Sequence, residues 1–242
     1  MSRVANRWIG AALRGAGAGG LVPSLQAARF TRRARRLYVK YHQHTMIPAP
    51  IFIENLRLVA RWRGMPGAVV ECGVWKGGMM AAMAEILGPD RDYALFDSFE
   101  GLPEATPADG AWAAKRLATA AQHPRGRLEA TMEDATAAMA RSGTPFTCIK
   151  GWFQDTLPGW VAPAPIAVLR LDADLYESTR DSLTALYPQV APGGLILFDD
   201  YYGGWDGCPR AVHEYLVQLP VVERMRQSPG GVAYLIKGHP WG

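Results

Sequence analysis

Ala68-Val69-Val70-Glu71-Cys72-Gly73-Val74-Trp75-Lys76-Gly77-Gly78 is a short apolar run that ends in an acid and opens into glycines. The run reads as a buried strand. The glycines after it form the tight turn at which such a strand passes into a helix, predicted over Gly78–Leu87. A second apolar strand, Tyr93–Asp97, completes a βαβ unit. Working outward, the residue patterns predict helices over 51–63, 111–122, 132–141, 178–187 and 210–219. Further strands are predicted over 146–150, 166–172 and 195–199, and a terminal hairpin of 221–225 and 232–237 is joined by Ser228-Pro229-Gly230-Gly231. Apolar strands alternating with helices predict a doubly wound α/β fold: a mainly parallel sheet covered on both faces, with an antiparallel last strand.

The chain has 242 residues, 49% hydrophobic and 20% charged, enough apolar material for one full core. Its formal charge of +4 is unevenly placed. Nine Lys and Arg fall within residues 1–40, which contain no acid; the remainder carries 17 basic and 22 acidic residues. The sequence therefore divides into a basic N-terminal arm, 1–36, and a body, 37–242, that is not basic. This argues against nucleic acid as a partner. No uninterrupted apolar stretch is long enough to span a membrane, and the glycine-diluted segment near the N-terminus makes a poor export signal. Three cysteines, Cys72, Cys148 and Cys208, lack metal-type spacing and are expected as reduced thiols in a cytoplasmic protein.

The acids at strand ends carry the chemistry. Ligands of doubly wound folds bind beyond the carboxyl ends of the strands, where Glu71 and Asp97 emerge. The segment Glu71 to Gly78 is not the dinucleotide pattern G-x-G-x-x-G. It has the E/D-x-G-x-x-x-G form of methyltransferases, in which Gly73 and Gly77 let backbone approach an amino-acid moiety. Asp97 stands where a carboxylate can accept hydrogen bonds from ribose hydroxyls. Two later strands end in Asp172-Ala173-Asp174 and Asp199-Asp200, and their acids should converge above the same sheet edge. Carboxylates so close repel one another and call for a cation. An all-oxygen donor set favours Mg²⁺ or another hard divalent ion. Asp174 is expected instead to cap the helix that follows it.

Several further segments extend the pattern: Asp97-Ser98-Phe99-Glu100-Gly101-Leu102-Pro103, Lys150-Gly151-Trp152-Phe153 with Thr156-Leu157-Pro158, Leu171 through Thr179, and Asp199-Asp200-Tyr201. With Glu71 to Gly78 and Thr45-Met46-Ile47, they closely resemble the macrocin O-methyltransferase family, whose members methylate deoxysugars on macrolides and related antibiotics. The resemblance spans about residues 38 to 237. It implies S-adenosyl-L-methionine as methyl donor, contacted by Thr45, Met46, Glu71, Gly73, Gly77, Asp97, Ser98, Trp152 and Asp172. It also implies Mg²⁺ on Asp172, Asp199 and Asp200, with Asp172 beside the reacting hydroxyl as the catalytic residue, a mobile lid starting at Phe99, a glycosylated natural product as acceptor, and a homo-oligomer. Two alternatives compete with it: a nicotinamide-dependent oxidoreductase, and a non-catalytic nucleotide-binding or interaction protein recruited through the arm.

Overall fold

A computed structural model describes residues 21–122 and 126–238. Seven strands form one sheet: β1 (Ala68–Cys72), β2 (Tyr93–Asp97), β3 (Thr147–Lys150), β4 (Ile166–Leu171), β5 (Val190–Phe198), β6 (Arg226–Gln227) and β7 (Ala233–Ile236). Their spatial order is β3-β2-β1-β4-β5-β7-β6. The first five strands run parallel; β7 is antiparallel to β5 and β6 to β7. The chain winds outward from β1 through β2 to β3, then returns to place β4 on the other side of β1. That reversal opens a crevice above the β1–β4 edge, where the connections leave in opposite directions.

Alternation along each strand decides which helices cover which face. Val69, Leu95, Val168 and Leu195 point into one core, under α1 (Leu21–Tyr41), α2 (Ala49–Val59), α3 (Gly78–Leu87) and α5 (Met132–Ala140). Their neighbours Val70, Phe96, Leu169 and Ile196 point into a second core, under α6 (Phe153–Thr156), α7 (Tyr176–Leu186) and α8 (Gly207–Leu216). Helix α4 (Gly110–Ala118) sits in the long β2–α5 connection and packs its Ala113 and Leu117 on Leu175, over the carboxyl end of the sheet.

The predicted strands and helices fall close to their bounds, with three differences, and the short α6 was not predicted. Residues 221–225 form no strand. Val221 and Val222 are 53% and 75% exposed, so their β-branched side chains have no layer to pack on, and pairing begins only at the two-residue β6. The hairpin turn itself forms at Ser228–Gly231, closed by Ser228 N–H to the Val232 carbonyl at 2.9 Å. Strand β5 starts at Val190, five residues before the predicted position, because the Pro192-Gly193-Gly194 bend is absorbed into it. Last, the boundary at residue 36 falls inside a continuous helix. Ala34, Leu37 and Tyr41 of α1 are buried in the first core, and Lys40 Nζ and Tyr41 OH both reach Glu85 Oε1 at 2.6 Å. Arg29, Arg32, Arg35 and Arg36 remain on its exposed side; the part of the predicted arm before residue 21 lies outside the described residues. The three cysteines are free, Cys72 and Cys208 buried and Cys148 half-buried. Among the described residues no helix is long and apolar enough to cross a membrane.

Candidate active site

A cavity of about 570 Å³ occupies the crevice above the β1–β4 edge. Its acidic floor follows from the period of two. Glu71 pairs in register with Arg170 across β1 and β4. Asp97, Asp172 and Asp199 continue the same face as Leu95, Arg170 and Leu197 where their strands end, so all of them converge on one side of the sheet.

Arg170, only 1% exposed, organises this floor. Its Nη1 donates to Glu71 Oε1 at 2.5 Å and to Asp172 Oδ2 at 2.9 Å, and its Nη2 donates to Asp199 Oδ1. Burial alone would lower the pKa of this guanidinium, but Asp199, Asp172 and Glu71 together raise it well above the ordinary arginine value. The carboxyls answer to the same environment. Burial pushes Glu71 up to about 7 against the pull of Arg170. Burial and the neighbouring Asp199 push Asp172 up to about 7 as well. Glu71 Oε2 is buried with no partner among the described residues, and Glu71 lines the cavity.

The acids that could share a cation differ from the expected set. Oxygens of Asp172, Asp174 and Asp200 lie within 4.8 Å of one another. Asp199 is turned away toward Arg170. Asp174 is no helix cap: its backbone sits at φ 55°, and its N–H donates to Asp200 Oδ2 at 2.9 Å. The first N–H of α7, on Tyr176, is satisfied by Asp109 Oδ1 at 2.6 Å, so the cap comes from the β2–α4 connection instead. Burial first, then the neighbouring acids, raises Asp174 and Asp200 well above the usual carboxylate range. Three oxygen donors held in mutual repulsion fit a hard divalent ion.

At the β1–β2 side, Asp97 holds the glycine turn. Its Oδ2 accepts from the N–H groups of Val74 and Trp75 at 2.9 and 2.8 Å, and Oδ1 accepts from Phe99 N–H at 2.7 Å. One lone pair of Oδ1 remains for a ligand hydroxyl. Burial raises its pKa even so. Ser98, buried beside it, donates to the Gly101 carbonyl at 3.0 Å and so shapes the next turn. Thr45, Met46 and Trp152 line the same cavity. Gly73 has φ 82°, and a Cβ there would collide with the Asp172 carbonyl oxygen, so the β1 and β4 turns can meet only through glycine. Gly77 does not line the cavity. It is the residue before α3, at φ 74°, with the space for a Cβ taken by Ala135 at 3.0 Å, so the α3–α5 packing requires glycine there.

Sequence reasoning missed Arg170 as a site residue, although a charged residue inside the otherwise apolar Ile166–Leu171 strand implies partners on the neighbouring strands. Trp112, Arg116, Glu177 and Asp181 were also missed as lining residues; they come from helices and loops whose approach to the sheet edge leaves no periodic signal.

Comparison with known proteins agrees with this geometry. The chain is 37% identical over 194 residues to demethyldecarbamoylnovobiocin O-methyltransferase of Streptomyces niveus, covering 75% of this chain and 71% of that protein. It is 43% identical over 175 residues to 8-demethyl-8-(2,3-dimethoxy-α-L-rhamnosyl)-tetracenomycin-C 4'-O-methyltransferase of Streptomyces olivaceus, covering 69% of this chain but 64% of that protein's length. Among solved structures, the O-methyltransferase NovP superposes with a TM-score of 0.67 at 29% identity, covering 88% of this chain and 98% of that one. The sequence profile of the macrocin-O-methyltransferase (TylF) family matches residues 30–231, and the chain belongs to that family.

Proposed function

We propose that this protein transfers a methyl group from S-adenosyl-L-methionine to a hydroxyl of a sugar on a natural product, assisted by Mg²⁺. The observation that carries the reading is the pairing, in one cavity, of the Asp97-held glycine turn with the Asp172–Asp174–Asp200 trio. Family membership favours it over the nicotinamide and non-catalytic alternatives, and the activities for which the relatives are named support a glycosylated acceptor.

The remaining lone pair of Asp97 Oδ1 and the unpartnered Glu71 Oε2 are the polar atoms that would hold the donor's hydroxyl and amino groups. Asp172, Asp174 and Asp200 would hold the ion; Asp199, implied by the family resemblance, joins them only if its side chain leaves Arg170. When bound, the ion supplies Lewis acidity that lowers the pKa of an acceptor hydroxyl. Asp172, among the ion's ligands and beside the acceptor hydroxyl, is the group that would take that proton, and the Arg170 contact keeps its carboxylate oriented.

Calorimetry with S-adenosyl-L-methionine tests the donor site. Asp97→Ala removes the acceptor for three backbone N–H groups and the ligand, so affinity should fall at least about tenfold. Chelator should abolish methylation while leaving donor binding in place. Full turnover by a metal-stripped preparation would refute the role of the ion.

A further inference from the structure

We infer that Asp109 is a positioning residue for the ion site: it clamps the turn that carries Asp174 and, with a second Asp-Gly pair, ties both acid-bearing loops to α4. This rests on the proposed function and adds the group that keeps the ion's ligands in place.

The turn needs a clamp. Leu175 N–H donates to the Ala173 carbonyl at 2.5 Å, around Asp174 at φ 55°. So tight a turn in the left-handed region is strained for a residue with a side chain, and it persists only where its surroundings hold it. Two carboxylates do so. Asp200 Oδ2 accepts from Asp174 N–H on one side at 2.9 Å, and Asp109 Oδ1 accepts from Tyr176 N–H on the other at 2.6 Å. Leu175, the residue before α7, has no side-chain oxygen to offer the helix start, so that acceptor has to come from elsewhere in the chain. Asp109 is 1% exposed, and its Oδ2 is fixed in turn by the Thr106 N–H at 2.7 Å and the Thr106 hydroxyl at 2.8 Å.

A reciprocal contact sets where Asp109 stands. The sequence carries Asp-Gly at 109–110 and again at 206–207, and each glycine makes room for the other aspartate. A Cβ on Gly207 would stand 2.2 Å from Asp109 Oδ1 and 2.6 Å from Tyr176 N. A Cβ on Gly110 would stand 2.6 Å from Asp206 Oδ2. The starts of three helices therefore interlock here: α4, which lies over the cavity, α7, which follows Asp172 and Asp174, and α8, which follows Asp199 and Asp200. Trp112 of α4 reinforces the junction, packing edge to face on Trp205 with ring centroids 4.8 Å apart.

The acid trio is mutually repulsive, so its oxygens stay within 4.8 Å of one another only while their loops are held. Asp109 holds them without being one of them. Partners that orient a metal's ligands in this way typically contribute about 10–100-fold to metal affinity.

The test is calorimetric titration of Mn²⁺ into metal-stripped protein saturated with S-adenosylhomocysteine. Asp109→Ala should bind Mn²⁺ at least about tenfold more weakly than wild type, with S-adenosylhomocysteine affinity kept within about twofold. Asp109→Asn can still accept from Tyr176 through Oδ1, but its amide cannot accept from Thr106. It should fall between the two, and it carries the test if the alanine variant does not fold. Gly207 lies outside the cavity lining, and Gly207→Ala displaces Asp109 without removing its carboxylate, so it should weaken Mn²⁺ in the same way. A cap that only stabilised the fold would lower the melting temperature and leave the ion affinity of folded protein alone. Mn²⁺ affinity within about twofold of wild type in folded Asp109→Asn and Gly207→Ala therefore overturns the proposal. Failure of the wild type to bind Mn²⁺ at all would instead strike the ion in the proposed function.

Discussion

Arg170 replaces part of an argument that the acids alone seemed to make. Carboxylates converging at strand ends need a counter-charge, and the chain already supplies one inside its own sheet, shared among Glu71, Asp172 and Asp199. What this leaves for an added cation is the second trio, Asp172, Asp174 and Asp200, with Asp172 common to both. Removing the guanidinium leaves buried acids uncompensated, a situation that typically costs about 3–5 kcal/mol. Arg170→Met should therefore destabilise the fold by about that amount in urea unfolding, partly relieved at low pH as the acids protonate. Arg170→Lys keeps the charge but its single nitrogen cannot span the three carboxylates that Nη1 and Nη2 reach. It should recover stability more than activity, because the orientation of Asp172 is lost. Equal stability of Arg170→Met and wild type would show that the acids do not need this partner.

At the scale of elements, residue patterns sufficed wherever burial was two-sided or strictly periodic. Strands β1 and β2 and helix α3 sit at their predicted residues because Val69 and Val70, or Leu95 and Phe96, fill opposite cores. The acids at strand ends were legible for the same reason, since a strand's register fixes where its next residue emerges. What could not be read was contact between elements. Asp109 capping α7 from 67 residues away, and Trp112 meeting Trp205, depend on how the α4 connection folds back over the sheet. The packing of α1 was hidden in the same way: its basic character masked Ala34, Leu37 and Tyr41, one per turn, on the face that docks on α2 and α3. The consequence is testable by truncation. Removal of residues 1–20 should leave donor binding intact, whereas removal of residues 1–41 strips that face and unmoors His44 to Pro48, which line the cavity. The longer truncation should lose S-adenosylmethionine binding in calorimetry; retained affinity would make α1 an accessory.

In the whole molecule, the acidic site opposes folding, and pH reveals it. In an unfolded chain the carboxyls of Glu71 and Asp172 ionise near 4. In the fold they keep their protons up to about 7, and burial holds Asp174 and Asp200 in the same direction. Between these values the native state binds more protons than the unfolded state, so stability falls as pH rises. The fall continues until the native groups have ionised. A divalent ion on Asp172, Asp174 and Asp200 favours their charged forms, and its binding releases protons, so its stabilising effect should grow with pH. Between pH 6.5 and pH 8.5 His44, whose pKa burial lowers, works in the opposite sense, because its unfolded imidazole still binds protons at the lower pH. Metal-stripped protein should melt about 5 °C lower at the higher pH, given about 2–4 °C per kcal/mol for a chain of this size. Millimolar Mg²⁺ should recover most of that loss at pH 8.5 and little at pH 6.5. Asp200→Asn, which removes one of the repelling charges, should flatten the decline without metal and weaken the response to Mg²⁺. A metal-stripped protein that melts higher at pH 8.5 than at 6.5 would mean that Arg170 alone suffices to hold these acids ionised.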